Sequence, residues 1–568
     1  MSSIIKLNEG NCQNCYKCIR HCPIKAISFS GGKVQIIEDE CVLCGTCVDV
    51  CPQNARFTTD HRPKVLELLK GPDPVYVTLA PSYKSYFTDR TFEQLSAALK
   101  AVGFAGVEET AVGAYETSRA YAQLMAAGEM ENIIATACPS VVMMVERHYP
   151  AIAQWLAPVY SPMMAHAKMM KEKYGQNIHV IFIGPCLAKK EEAMDPLAGG
   201  DVDYALSFNA LRALIEGAPQ EESDGEAVGT AHPVSRLYPK PSGILKSIEP
   251  ESYGHYRKVC VDGVENCMEL FSWLESEHPT GLFIEANMCA GACLGGPVMR
   301  REGISSFRGR MEIDDQPKPR DARPAPSAAC ELDHLRLFRG APKAEPIPTE
   351  EEIRAILAQI GKTSPEQELN CGGCGYETCR DKAIAVYRGK ADVNMCLPYL
   401  REKAENISST VIQHSPNGTI ALTEELEVLD LNPAAEEMMG LRRESAVGQI
   451  IPEFFGDDTF DRARESGRPA MKNEVVVGEG VSVEETVIYI RENRMFIVFM
   501  KDMTAENENK KKLEALRMHT VDTAQKVIDK QMRVAQEIAS LLGETTAETK
   551  VALTSLKKSM EQGEDGAL

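Results

Sequence analysis

A chain of 568 residues, 44% hydrophobic and 25% charged, has the composition of a globular protein and room for several cores. A formal net charge of −20 argues against generic binding to nucleic acid or to an anionic membrane surface. No run of about 18 apolar residues occurs, so no transmembrane helix is expected. The opening MSSIIKLNEGNCQNC lacks the layout of a Sec signal and carries no twin arginine, which predicts a cytoplasmic protein.

Residues 1–60 hold two cysteine runs, Cys12, Cys15, Cys18, Cys22 and Cys41, Cys44, Cys47, Cys51. Each reads C-x2-C-x2-C-x3-C and is closed by Pro23 or Pro52. Short strands are predicted after them, over Ala26–Phe29 and Ala55–Thr58. PVYVTL at 74–79 reads as a buried strand ending at Ala80, Pro81 and Ser82. From there to about 310, apolar runs alternate with helical patterns. His179–Ile183 and Gly281–Ile284 are predicted as parallel strands, each delivering a cysteine motif at its carboxyl end, where open α/β sheets keep their sites. Residues 315–348, rich in Pro and Ala, are expected to wrap the surface. Thr349 and Glu352 form a capping box for a helix over 350–361. A third cysteine group follows: Cys371, Cys374, Cys379 and Cys396.

Residues 405–505 alternate strands with short helices. Over 506–542, Leu513, Leu516, Val521, Ala524, Ile528, Met532, Ala535, Ile538 and Leu542 recur mostly at threes and fours, as on a helical seam. Gly543 is predicted to end that helix, with a second from Thr546 to Lys558.

Of the 19 cysteines, Cys138, Cys186, Cys289 and Cys293 make a further, dispersed group, leaving Cys260, Cys267 and Cys330 as buried or inert thiols. C-x2-C spacing in a long chain favours metal over disulfides. Thiolates are soft donors, and four complete the tetrahedral coordination of a cubane's irons. In two-cluster ferredoxins the fourth cysteine of each run ligates the other cluster. That assigns Cys12, Cys15, Cys18 and Cys51 to one cluster and Cys41, Cys44, Cys47 and Cys22 to the second. Zinc is the competing reading, a stronger competitor at 371–396.

Three segments carry a family resemblance. ATACPSVV at 135–142, IGPCLAKKEEA at 183–193 and FIEANMCAGACLGGP at 283–297 resemble the motifs of the FeFe hydrogenase catalytic domain, usually T-S-C-C-P-x-W, M-P-C-x-x-K and E-x-M-x-C-x-G-x-C-x-x-G-G. The resemblance implies a cubane held by Cys138, Cys186, Cys289 and Cys293, with Cys293 bridging to a di-iron subcluster bearing CO, cyanide and a dithiolate amine bridge. It implies that Lys189 contacts one cyanide and the Ala80–Ser82 loop the other, with Gly184, Pro185 and Asn287 lining the pocket. There are departures. The proton-delivering cysteine is replaced by Ala137, and two methionines by Gly184 and Asn287. The acidic relay is not recognisable, although Glu108, Glu109 and Glu116 remain candidates.

CGGCGYETC at 371–379 with MCLP at 395–398 resembles the four-cysteine module of corrinoid iron–sulfur proteins, and 405–505, with Asn432-Pro433-Ala434-Ala435 and Ile497-Val498, resembles a PAS domain. The whole resembles the sensory FeFe hydrogenases. That implies a multidomain α/β and α+β chain: a two-cluster ferredoxin fold (1–60), a hydrogenase domain with parallel sheets (70–345), a four-cysteine module (350–402), PAS (405–505) and C-terminal helices (506–568). Four 4Fe–4S clusters and the di-iron unit are the implied cofactors. Implied partners are H2 and protons, a redox partner such as ferredoxin, a PP2C-type phosphatase or kinase, and a second copy of the chain. Two other readings stay open: a catalytic ferredoxin-linked hydrogenase, and a non-enzymatic homologue of the iron–sulfur assembly type.

Overall fold

The computed structural model describes residues 4–216, 233–315, 336–339, 346–450, 457–542 and 546–561, in two compact units that divide after Leu400. Cys330 and Gly543 lie outside the described residues, as does most of 315–348.

The first unit opens with two antiparallel strand pairs, Ile5–Leu7 with Arg56–Thr58 and Ile27–Ser30 with Lys33–Ile36. The predicted strands after each cysteine run are these, displaced by one residue. Two parallel sheets follow. One has spatial order Gly106–Glu109, Val75–Leu79, His179–Gly184, Tyr204–Ser207. The other runs Arg257–Asp262, Leu282–Asn287, Asn132–Ile134. Val75, Val77, Thr78 and Leu79 are all buried, as expected of a parallel strand covered on both faces. Helix Phe92–Val102 starts from a Thr91–Gln94 capping box and stops at Gly103, whose positive φ closes the last turn. Right-handed strand–helix–strand repeats of this kind leave the cysteine-bearing loops at the carboxyl ends of His179–Gly184 and Leu282–Asn287.

The capping box at Thr349 and Glu352 starts helix Glu350–Gln359. The four-cysteine module behind it docks on the ferredoxin-type domain. Phe29 N–H donates to Lys390 O at 3.0 Å, Lys25 Nζ to Gly375 O at 2.8 Å, and Arg20 Nη1 to Gly373 O at 3.0 Å. Ile19, Cys22 and Phe29 share one apolar core with Tyr376, Ala385 and Met395.

The second unit holds a five-stranded antiparallel sheet, in order Val428–Leu431, Gly418–Thr423, Met495–Asp502, Val481–Ile490, Ala470–Val477. Asn432 caps helix Pro433–Met439 through its side chain on Ala435 N at 3.0 Å, while its amide donates to Ile412 O and Asn417 O. Its Oδ1 also accepts from Thr419 N at 2.8 Å, so one asparagine ties this helix start to strand Gly418–Thr423 and to the residues before it. Helix Thr504–Leu542 continues for 39 residues, and Thr546–Glu561 packs back on it. Along it Ala524, Ile528, Met532 and Ala535 are half-buried, whereas Leu513, Leu516, Val521 and Ile538 are exposed. Among the described residues no helix is long and apolar enough to cross a membrane.

Candidate active site

Strand ends bring the four dispersed cysteines together. Cys138 stands at the start of helix Pro139–His148, Cys186 follows His179–Gly184, and Cys289 and Cys293 follow Leu282–Asn287. All four line one cavity of about 390 Å³, with Leu43 and Pro297 in its wall. A second cavity of about 710 Å³ shares Cys138, Cys186, Cys293, Pro185 and Asn287 with it and adds Ala80, Pro81, Ser82, Ala137 and Lys189. Gly184 is not among the lining residues. In its place Phe182 reaches the cavity wall, and a Cβ on Gly184 would sit 2.5 Å from the Phe182 ring. Glycine here is the partner of that phenylalanine.

The chemistry of the lining suits the implied cofactor. Burial pushes the Cys186 thiol up to about 11 and Cys293 to about 12, with the neighbouring cysteines adding to it. Cys289 is raised in the same way, and a cationic cluster is what would make such thiols thiolates. The Ser82 hydroxyl is buried beside the larger cavity without a protein partner, an orphan donor that fits a ligand to which the loop would bond. Asn287 donates to Glu285 Oε1 at 3.2 Å, so the residue at the family's methionine position is held by a neighbouring carboxylate.

Lys189 reaches the cavity from helix Ala188–Met194, with its ammonium 2.6 Å from Glu192 Oε2 and 2.9 Å from Ser161 Oγ. Glu192 also accepts from Arg336 Nη1 at 2.7 Å. Burial opposes ionisation of Glu192, but Lys189 and Arg336 overcome it and hold the carboxyl below its ordinary range. The sequence reading missed Glu192 and Arg336. The i, i+3 spacing of Lys189 and Glu192 was a usable signal, whereas Arg336, 144 residues away, carried none. Within the described residues of 315–348, Leu337 and Ile347 are exposed while Arg336 sends its side chain into the domain. Ala137 borders the larger cavity, and Glu109 and Glu116 are occupied by Arg236 and Arg119.

The other groups are drawn together in part. Cys22 lies near Cys44 and Cys41, and Cys47 near all three, the crossed set expected of a two-cluster ferredoxin. Cys18 has Cys12 as its cysteine neighbour. Arg56, buried between the two runs, hydrogen-bonds the Cys18 thiol. Cys371, Cys374, Cys379 and Cys396 line a cavity of about 350 Å³ with Lys382 beside it. Of the leftover cysteines Cys267 is buried and Cys260 exposed.

Family profiles match in the same places. Residues 73–297 match the iron-only hydrogenase large subunit, C-terminal domain. The central domain is that of the iron-only hydrogenases. Residues 11–55 match a 4Fe-4S dicluster domain, 367–398 an Fe-S cluster module, and 408–503 the PAS fold. The hydrogenase region is 23% identical over 258 residues to the NADP-reducing hydrogenase subunit HndD of Solidesulfovibrio fructosivorans, covering 39% of this chain and 44% of that subunit. The chain therefore spans less than half of that relative. Its ferredoxin-type segment is 43% identical over 42 residues to a ferredoxin of Methanothermococcus thermolithotrophicus, covering 7% of this chain and 70% of the ferredoxin. Among solved structures, an FeFe hydrogenase of Chlamydomonas reinhardtii aligns at 18% identity over 50% of this chain and 91% of that one, with a TM-score of 0.37. The PAS domain of the nitrogen regulation protein NR(II) of Vibrio parahaemolyticus aligns at 22% identity over 17% of this chain and 97% of that one, with a TM-score of 0.16.

Proposed function

We propose that this iron-only hydrogenase domain serves as a hydrogen sensor. It would oxidise H2 and reduce protons slowly and reversibly, and its electrons would pass through 4Fe–4S clusters to change the state of the PAS domain. The observation that carries the reading is the pair of adjoining cavities sharing Cys293, with alanine at the proton-relay position, in a chain that also holds a PAS fold. When bound, the di-iron unit would supply the open metal site and amine base for heterolytic cleavage of H2. This chain's part is to hold it with Cys293, to place a cation at Lys189 and donors at Ala80–Ser82 against its cyanides, and to exclude water with Phe182, Met163 and Ile244. Loss of a positioned acid–base group ordinarily costs about 10²–10⁴-fold in rate, which suits detection and not bulk turnover.

A cubane held by Cys138, Cys186, Cys289 and Cys293 would face the ferredoxin-type domain at Leu43, which lines the four-cysteine cavity and stands between Cys41 and Cys44. Cys22 shares an apolar core with Cys374 of the 371–396 module, and Tyr376 lies near both. That order supports a route from the central site through the Cys41, Cys44, Cys47, Cys22 cluster to the module. The exposed apolar residues of Thr504–Leu542 support a homodimer, and a phosphatase or kinase would read the PAS state.

The test is infrared spectroscopy of anaerobic protein matured with the di-iron cofactor, under argon and then H2. Sharp CO and cyanide bands that shift with H2, with turnover well below that of thiol-relay hydrogenases, are expected. An absence of bands, with iron and sulfide matching only four cubanes, would reduce the chain to an electron-transfer or assembly protein.

A further inference from the structure

A site that makes and consumes protons needs a path to water, and alanine at 137 closes the usual one. A second path is laid out in the first sheet. Thr110 borders the larger cavity. Its Oγ1 lies 2.7 Å from Thr78 Oγ1, which lies 2.8 Å from His166 Nδ1. His166 Nε2 is 3.2 Å from Glu108 Oε2. At the far end Glu108 Oε1 accepts from Lys173 Nζ at 2.8 Å and from the Tyr174 hydroxyl at 2.5 Å. Thr78 and His166 have no exposed surface, whereas the Lys173 side chain is 48% exposed. Every link lies in hydrogen-bonding range, and the file runs from the cavity wall to solvent.

Its polarity follows from its end. An ionised carboxylate only accepts, so the network assigns the imidazole hydrogen to Nε2 and leaves Nδ1 as an acceptor. Thr78 then donates to Nδ1, and Thr110 to Thr78. Both hydroxyls point away from the cavity, the orientation that takes up a proton there and hands another on. Of the other two acids of the 108–116 segment, Glu109 is held bidentately by Arg236, and Glu116 by Arg119.

We propose that Thr110, Thr78, His166 and Glu108 carry protons between the larger cavity and solvent at Lys173, in place of the absent thiol at position 137. In the outward direction the Thr110 oxygen gains a proton from the cavity and loses its own to Thr78, and Thr78 passes one to Nδ1. The imidazolium then releases its Nε2 proton to Glu108, and the carboxyl gives it to water beside Lys173. One O–H or N–H bond forms and one breaks at each station, no electrons move, and the file is reset by rotation of the two hydroxyls together with a turn of the imidazole ring that brings its hydrogen back from the Thr78 side to the Glu108 side. Burial alone would raise the Glu108 carboxyl, but hydrogen bonds from His166, Lys173 and Tyr174 hold it down at about 2. A proton therefore does not rest there but passes on to solvent.

The proposal rests on the hydrogenase reading and is tested on matured full-length protein. Thr78→Val cuts the file at its middle, Thr78→Ser keeps it, and Glu108→Gln removes the outlet and serves as a second cut should Thr78→Val fail to fold. Exchange of H2 with D2O is expected to fall about 10²-fold in either cut, within the range of lost acid–base groups, and to persist in Thr78→Ser. CO and cyanide bands should keep their wild-type positions. Nitrogen-15 histidine spectra of the unmatured chain should show His166 protonated on Nε2 with Nδ1 an acceptor, and the Nδ1 signal should move in Thr78→Val. Undiminished exchange in both cuts, or a His166 protonated only on Nδ1, overturns the proposal while leaving the hydrogenase reading intact. Wild-type protein without CO and cyanide bands overturns both.

Discussion

Glu192→Gln tests the electrostatic frame of the candidate active site. Glu192 has no exposed side-chain surface and stands between Lys189 at 2.6 Å and Arg336 at 2.7 Å, whose side chains are 10% and 6% exposed. Glutamine keeps the shape and one acceptor oxygen but leaves two buried cations facing no anion. Removing one member of a buried ion pair typically costs about 3–5 kcal/mol, because the partner's desolvation is no longer offset. For a domain of about 150–250 residues each kcal/mol moves the melting temperature by about 2–4 °C, so a fall on the order of 10 °C is expected. The assay is anaerobic calorimetry of the full chain, following the hydrogenase-domain transition, since several domains do not melt as one. Adding Arg336→Met should return part of the loss by removing one uncompensated charge. The carboxyl is held below its ordinary value, so its stabilisation is complete above the unfolded pKa of about 4.3 and is lost as pH falls through the folded one. A shift under about 2 °C at pH 7 would refute the claim that this triad organises the pocket.

Three further outcomes follow from single contacts. Gly45 has φ +78°, and a Cβ there would lie 2.6 Å from Pro297. Gly45→Ala should therefore cost about 2–4 kcal/mol in left-handed strain and overpacking, seen as earlier proteolytic release of the ferredoxin-type domain. Gly184→Met, which restores the family residue, should destabilise by about 1–3 kcal/mol against the Phe182 ring, and Phe182→Leu in the same chain should recover most of it in thermal melts. In the PAS domain burial pushes the Glu485 carboxyl up to about 7, and both its oxygens lack partners. The folded state then keeps a proton that the unfolded chain has lost, so PAS stability should fall as pH rises from about 4.3 to 7 and level off above. Glu485→Gln should flatten that slope in melts followed by circular dichroism.

Much of this architecture was legible because its signals are local. C-x2-C-x2-C-x3-C-P is a spacing, the capping box at Thr349 and Glu352 lies within four residues, and the buried strands at 75–79 and 179–184 are continuous apolar runs. The residues singled out through motif resemblance, all but Gly184, line the two adjoining cavities. What escaped is long-range pairing. Glu192 meets Arg336 across 144 positions, Lys25 meets Gly375 across 350, and Thr78 meets His166 across 88. No periodicity encodes such meetings, because they depend on how finished elements pack.

The proton file shows how that limit bears on function. Read along the chain, Glu108 is one acid among three in EETAVGAYE, and nothing separates it from Glu109 or Glu116. Strand pairing makes the difference. Thr78 and Glu108 are register partners on adjacent parallel strands, yet their side chains are joined through His166 of the covering helix Pro162–Tyr174. That helix also supplies Lys173 and Tyr174, about two turns further on, at the outer end. Sheet and helix together convert three unremarkable residues into a conduit. Glu109 and Glu116 offer no comparable chain of donors from the same cavity, because Arg236 and Arg119 already hold those acids. If a proton leaves this site on the timescale of sensing, the first sheet offers it the better supported way out.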